Sequence, residues 1–102
     1  MKIELTHEQV LKLVKLGVDP KKASGKCYHH IDGFARVYPQ PVFTITDLLK
    51  ILPKFIGQSG LDIHVIASGE WQAMYYAYHP SSKVAPELIN ALFELACWYY
   101  GE

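Results

Sequence analysis

The C-terminal run APELINALFELACWYYGE, residues 85 to 102, constrains the fold more than any other stretch. Pro86 stands near its start, and Leu88, Ile89, Leu92, Phe93, Ala96 and Tyr99 recur along one helical stripe. Leu95, Cys97, Trp98 and Tyr100 then carry apolar surface almost all the way round the final turns. A helix on the surface of a domain needs an apolar stripe of only about 100°. This helix must therefore either occupy the centre of a core or present an aromatic patch to a partner.

The chain is long enough to supply that core. Its 102 residues correspond to one domain, and a globule of this size buries about 65% of the surface its unfolded chain exposes. Half the residues are hydrophobic and 13% are aromatic, the composition of a folded protein without disulfide or metal staples. The whole of 1–102 reads as a single α+β domain.

The remaining elements follow from pattern. In THEQVLKLVKLG, Thr6 and Gln9 have the spacing of a reciprocal helix cap, with Val10, Leu13, Val14 and Gly17 at helical intervals after them. Gly17 suits the left-handed residue that closes a helix, so the element stops near residue 16. Asp19-Pro20 then favours a short helical turn. CYHHIDGFARVYPQPVF reads as a hairpin turning at Asp32-Gly33 and ended by Pro39 and Pro41. TITDLLKILP is a short amphipathic helix capped by Thr44 or Thr46, with Ile45, Leu48, Leu49 and Leu52 on its stripe, and Pro53 closes it. Phe55 and Ile56 are expected to cover the core, and Gly57 to Gly60 to form a loop. LDIHVIAS alternates as a half-buried strand, and the turn SGE leads to a second strand, WQAMYYAYH, whose two faces cannot be told apart by polarity. The expected order is helix, hairpin, helix, hairpin, helix, with an antiparallel sheet of about four strands packed by helices.

Charge and cysteine content narrow the function. Ten basic and ten acidic side chains cancel, so no global field gathers phosphates or anionic lipid, and the balance points away from nucleic acid. No run approaches the roughly 18 apolar residues that cross a bilayer, and the N-terminus lacks a leader's apolar segment. Two cysteines far apart suggest neither a disulfide framework nor a zinc knuckle, and the chain reads as cytoplasmic.

KCYHHIDG, residues 26 to 33, brings Cys27, His29 and His30 together and raises the question of a metal. Zinc needs three or four converging ligands. In a strand Cys27 and His29 share a face while His30 points the other way, so His64 or His79 of the second hairpin would have to complete a site. Half-exposed strand histidines near a turn explain the same residues without a metal. Cys27 with His29 and Lys26 could make an activated thiol, but nothing in the sequence supplies an oxyanion hole. GxSxG, GxxxxGK and GxGxxG patterns are missing, since GQSG at 57 to 60 has no following lysine. No catalytic residue and no cofactor is expected.

The aromatic excess is the strongest functional hint. Tyr76 and Tyr78 in one strand, with Trp98, Tyr99 and Tyr100 at the C-terminus, can anchor an interface to a protein partner or to a homo-oligomer. Stacking of single-stranded nucleic acid would use similar side chains but also wants a basic groove.

FTITDLLKILPKFIG, LDIHVIASGEWQAMYYAY and APELINALFELACWYYGE, after LTHEQVLKLVKLGVDPKKA, resemble a family of small uncharacterised proteins of bacterial prophages and integrated mobile elements. The likeness runs over nearly the whole chain and rests on Leu16, Gly17, Asp19, Pro20, Leu48, Leu49, Leu52, Pro53, Lys54, Ile56, Pro86, Ala91, Phe93, Glu94, Cys97 and Trp98. These are mostly caps and core positions. The resemblance implies a shared fold and a mobile-element origin, and it supplies no catalytic residue. Relatives tend to have tyrosines and polar residues where this chain has Cys27, His29 and His30, which makes that cluster particular to this sequence.

Overall fold

The order of elements follows from where proline, glycine and capping residues interrupt the apolar pattern. A computed structural model describes residues 4–23, 25–31 and 34–101; for 25–31, 34–41, 79 and 80 it describes the backbone. The expected turn at Asp32-Gly33 lies outside the described residues. Helix α1 spans His7–Lys15, a single 3-10 turn Pro20–Lys22, strands β1 and β2 Gly25–Ile31 and Phe34–Val42, and helix α2 Ile45–Ile51. Strands β3 to β6 span Phe55–Ile56, Ser59–Val65, Trp71–Tyr75 and Tyr78–Ala85, and helix α3 spans Leu88–Gly101. The class is α+β, with an antiparallel four-stranded sheet in the order β3-β4-β5-β6 and a separate two-stranded sheet of β1 and β2.

α3 lies in the core rather than on it. Ile89, Ala91, Leu92, Phe93, Leu95 and Ala96 are buried, and at about 100° per residue they span an arc of roughly 200°. Asn90, Glu94 and Cys97 share the remaining side. β5, β6, α2 and α1 all pack against the helix, which explains why its apolar residues outrun a single stripe. Pro86 precedes the first turn, and the carbonyl of Glu87 accepts from the amides of Asn90 and Ala91 at 3.1 and 3.2 Å.

α1 and α2 are set by reciprocal caps. Thr6 Oγ1 accepts from the Gln9 amide at 3.2 Å while Gln9 Oε1 accepts from the Thr6 amide at 3.0 Å. Gly17 at φ 105° then lets the amides of Gly17 and Val18 reach back to the carbonyls of Val14 and Leu13, both at 3.0 Å. Val10 and Leu13 are buried, whereas Val14 and Leu11 lie on the exposed side. Gln9 Nε2 donates to Asn90 Oδ1 at 3.1 Å and so ties α1 to α3. In α2, Thr44 is the cap: its amide donates to Asp47 Oδ2 at 2.9 Å, and Asp47 is buried with Leu48 and Ile51.

The sheet departs from the expectation of two paired hairpins. The first hairpin, β1 with β2, pairs with itself from Gly25↔Val42 to Ile31↔Phe34 and does not join the four-stranded sheet. The second is longer than a hairpin. The stretch 57–60 is not a loop: a tight turn at Gly57-Gln58, with Gly57 at φ 61°, folds Phe55–Ile56 back onto Ser59 and Gly60. WQAMYYAYH is likewise not one strand. It turns at Tyr76-Ala77, and the return strand β6 pairs Trp71↔Ala85 through Tyr75↔Tyr78 with a bulge on the way. Ala73 and Tyr75 point into the core, and Met74 on the opposite face is buried as well, so polarity could not separate the faces because both are covered at this end of the strand. Sequence polarity missed β6 because HPSSKV has no apolar alternation of its own.

Leu92 is fully buried on the central helix. Leu92→Ala should lower the unfolding free energy by about 2 to 5 kcal/mol, measured by urea denaturation, with the secondary structure of the folded variant retained.

Candidate functional site

Two turns and one helix end meet at one end of the sheet. The β3–β4 turn (57–58) and the β5–β6 turn (76–77) both lie there, because β4 and β5 run antiparallel between them. The C-terminal turn of α3 reaches the same end. The Trp98 ring lies 6.3 Å from those of both Tyr75 and Tyr78. Tyr75 is fully buried and its hydroxyl donates to the carbonyl of Pro53 at 2.5 Å. Tyr100 donates to the carbonyl of Ile51 at 2.5 Å and packs edge-on against Tyr99, with ring centroids 5.0 Å apart.

The five aromatic residues marked by the sequence thus separate into roles. Tyr76 is 73% exposed at the tip of the β5–β6 turn. Tyr78 and Tyr99 are exposed over part of their rings, while Trp98 and Tyr100 are half-buried and Tyr100 spends its hydroxyl inside the fold. Phe55, expected in the core, is instead 66% exposed, and Ile56 takes the core position. A shallow cavity of about 300 Å³ opens here, lined by Ile56, Gln58, Tyr76 and Tyr78 among others.

The exposed turn is held by two buried serines that sequence patterning did not single out. Ser59 Oγ accepts from the Ala77 amide at 2.9 Å. Ser81 Oγ accepts from the Tyr75 amide at 2.9 Å and directs its own proton to the carbonyls of Tyr78 at 2.5 Å and Tyr75 at 3.2 Å. A bulge leaves ladder groups without strand partners, and here a side chain takes their place. The signal available in the sequence was the placement of small hydroxyl residues, Ser59 and Ser81, beside glycine and proline in otherwise strand-forming runs.

The metal expectation depends on side chains outside the described part of the structure. Cys27 and His29 lie on β1 opposite Gln40 and Tyr38, and His30 opposite Val37; the side chains of these three and of His79 are not among those described. His64 lies on β4 with its Nδ1 3.3 Å from Asp62 Oδ2. Among the described residues, no three His, Cys, Asp or Glu side chains are grouped to hold a metal ion. No described helix is long and apolar enough to cross a membrane.

Cys97 lines a groove with Lys12, Leu16, Lys83, Phe93, Glu94 and Trp98. Burial pushes its thiol up from the usual range; Lys12 pulls it down, Glu94 adds to the rise and Lys83 opposes it, with burial the largest influence. The group is therefore a protonated thiol, poorly suited to act as a nucleophile. Lys12 Nζ sits 6.0 Å from the centre of the Phe93 ring, above the same groove.

Compared with known protein families, with curated proteins and with solved structures, the chain finds no match in any of the three.

Removing the Ser81 hydroxyl strands the Tyr75 amide inside the protein. Ser81→Ala should cost about 1 to 3 kcal/mol in chemical denaturation. Burial, reinforced by Tyr99 and Tyr100, lifts the Tyr75 phenol from 10.0 to about 12. Its folded value lies above its unfolded value, so the contribution is fully present below pH 10.0 and is lost as pH rises towards about 12. Melting temperature followed across that window should fall more steeply for the wild type than for Tyr75→Phe.

Proposed function

We propose that this chain is a non-enzymatic binding protein that engages a protein partner through its aromatic end, or associates with itself. The observation that carries the reading is the Tyr76 turn: a large aromatic side chain is 73% exposed on a backbone fixed by the buried hydroxyls of Ser59 and Ser81. An exposed tyrosine on a rigid turn loses little conformational freedom when a partner covers it, which is the economy that favours tyrosine and tryptophan at interface anchors. Phe55 and Tyr78 enlarge the same apolar surface, with Trp98 packed beneath Tyr78.

The likeness to small proteins of prophages and integrated elements supports reading it as an accessory protein of a mobile element. Within that reading the partner is a protein met in the cell that carries the element. Net neutrality supports a protein partner over nucleic acid.

The test is affinity capture from the natural host cell with wild-type protein and with Tyr76→Ala/Tyr78→Ala. A species retained by the wild type and lost by the double variant, at nearly unchanged melting temperature, is the expected result. Identical capture profiles for the two proteins would sink the assignment of the aromatic end.

A further inference from the structure

The two edges of the four-stranded sheet are unlike. β6 carries Pro80, Lys83 and the bulge, three devices that blunt an edge against further pairing. β4 is also an edge over most of its length, because β3 pairs only with Ser59 and Gly60. Its stretch 62–65 has no proline, lysine or bulge.

Two hydrogen bonds fix which way the peptide groups of that stretch face. The Leu61 amide donates to the Lys54 carbonyl at 3.0 Å, on the β3 side, and the Ile66 amide donates to the Glu70 carbonyl at 2.9 Å, on the β5 side. Peptide groups alternate along an antiparallel strand. The N–H and C=O of Ile63 and Val65 therefore point away from β5, where no strand among the described residues pairs with them. Among the described residues, β3 and β5 are the strands hydrogen-bonded to β4, and the Val65 side chain is 52% exposed.

We propose that this edge pairs with the same edge of a second copy of the chain, antiparallel about a two-fold axis through His64. That register places Ile63 opposite Val65 of the second copy, and the reverse, so both outward-facing pairs close with two N–H···O bonds each. Centring on Ile63 instead would set Val65 against Leu61, whose amide is already given to Lys54. Centring on Val65 would run the second copy into the turn at 66–70. The side chains agree with the register. At the axis the two His64 rings face each other, and each has an Asp62 carboxylate 3.3 Å from Nδ1, so negative charge flanks both rings on the outer face. A self-complementary patch of this kind is what a closed two-fold dimer requires, and it joins two four-stranded sheets into one. The proposal deepens the self-association half of the reading above. It concerns a surface apart from the aromatic turn, since Val65 lies about 20 Å along β4 from Ser59, which anchors that turn.

The test combines mass and register. Size-exclusion chromatography with light scattering should give twice the 11.6 kDa chain mass for the wild type. Val65→Lys, a change at an exposed position, should give the monomer mass while still unfolding cooperatively, with a melting temperature that no longer rises with protein concentration. In a Cys27→Ser/Cys97→Ala background, His64→Cys should form a disulfide-linked dimer on mild oxidation. Asp62→Cys should not, because the antiparallel register holds its two copies about 13 Å apart, beyond disulfide reach. A wild-type monomer at millimolar concentration would overturn the proposal and leave the edge to a foreign strand. A Val65→Lys dimer, or cross-linking of Asp62→Cys equal to that of His64→Cys, would overturn it as well. Because Val65→Lys leaves Tyr76 in place, partner capture by the monomeric variant separates failure of this dimer from failure of the aromatic end.

Discussion

The fold depends on one helix that cannot be left on a surface. Six buried side chains of α3 occupy roughly twice the arc that a surface helix needs, so the sheet, α2 and α1 must all come to it. Each does so with a specific group. Tyr75 brings the sheet, and the Tyr100 hydroxyl on the Ile51 carbonyl brings the end of α2. Gln9 and Asn90 bring α1. Several of these contacts are polar, and they set orientation where apolar packing by itself is non-directional.

The same economy of polar groups shapes the aromatic end. Ser59 and Ser81 each supply a hydroxyl where a backbone partner is missing, and in doing so they let the chain turn tightly at Tyr76 without stranding an amide. No described buried side-chain nitrogen or oxygen lacks a partner. An unpaired amide at the bulge would cost more than a hydrogen bond ordinarily returns, so the position of the exposed tyrosine is fixed by what lies beneath it. The aromatic residues there are not equivalent. Tyr75 and Tyr100 use their hydroxyls to close the fold, and Tyr76 has its ring in solvent.

Much of the helical part could be read from local pattern. Thr6 with Gln9 and the glycine at 17 act through residues within a few positions of one another, so sequence spacing carries the information. Spacing left the α2 cap open between Thr44 and Thr46 until the Asp47 side chain was placed on the Thr44 amide. The sheet was less legible. Phe55–Ile56 has only two residues, too few for alternation, and β6 contains Pro80 and two serines whose value lies in hydrogen bonds across the sheet, Ser81 with Tyr75 and Ser82 with Gln72. The pairing of β1 with β2 was legible as a hairpin, but its separation from the larger sheet is a matter of long-range packing that no local period encodes. At the aromatic end, the residue types were visible and their division between structural and exposed roles was not, because that division depends on which hydroxyl finds a distant carbonyl.

The short backbone tie between the chain's beginning and the start of α2 has a further consequence. The Leu5 amide donates to the Phe43 carbonyl at 2.9 Å, and Glu4 bridges Thr44. Residues 5 and 43 are thus clamped together, and everything between them is an excursion that leaves and returns at one point. Within it, α1 contributes to the core, but the β1–β2 ribbon hangs from a closed base. The clamp fixes where the excursion leaves and returns, so the start of α2, and with it the approach to the central helix, is positioned by residues 5 and 43 and not by the length of chain between them.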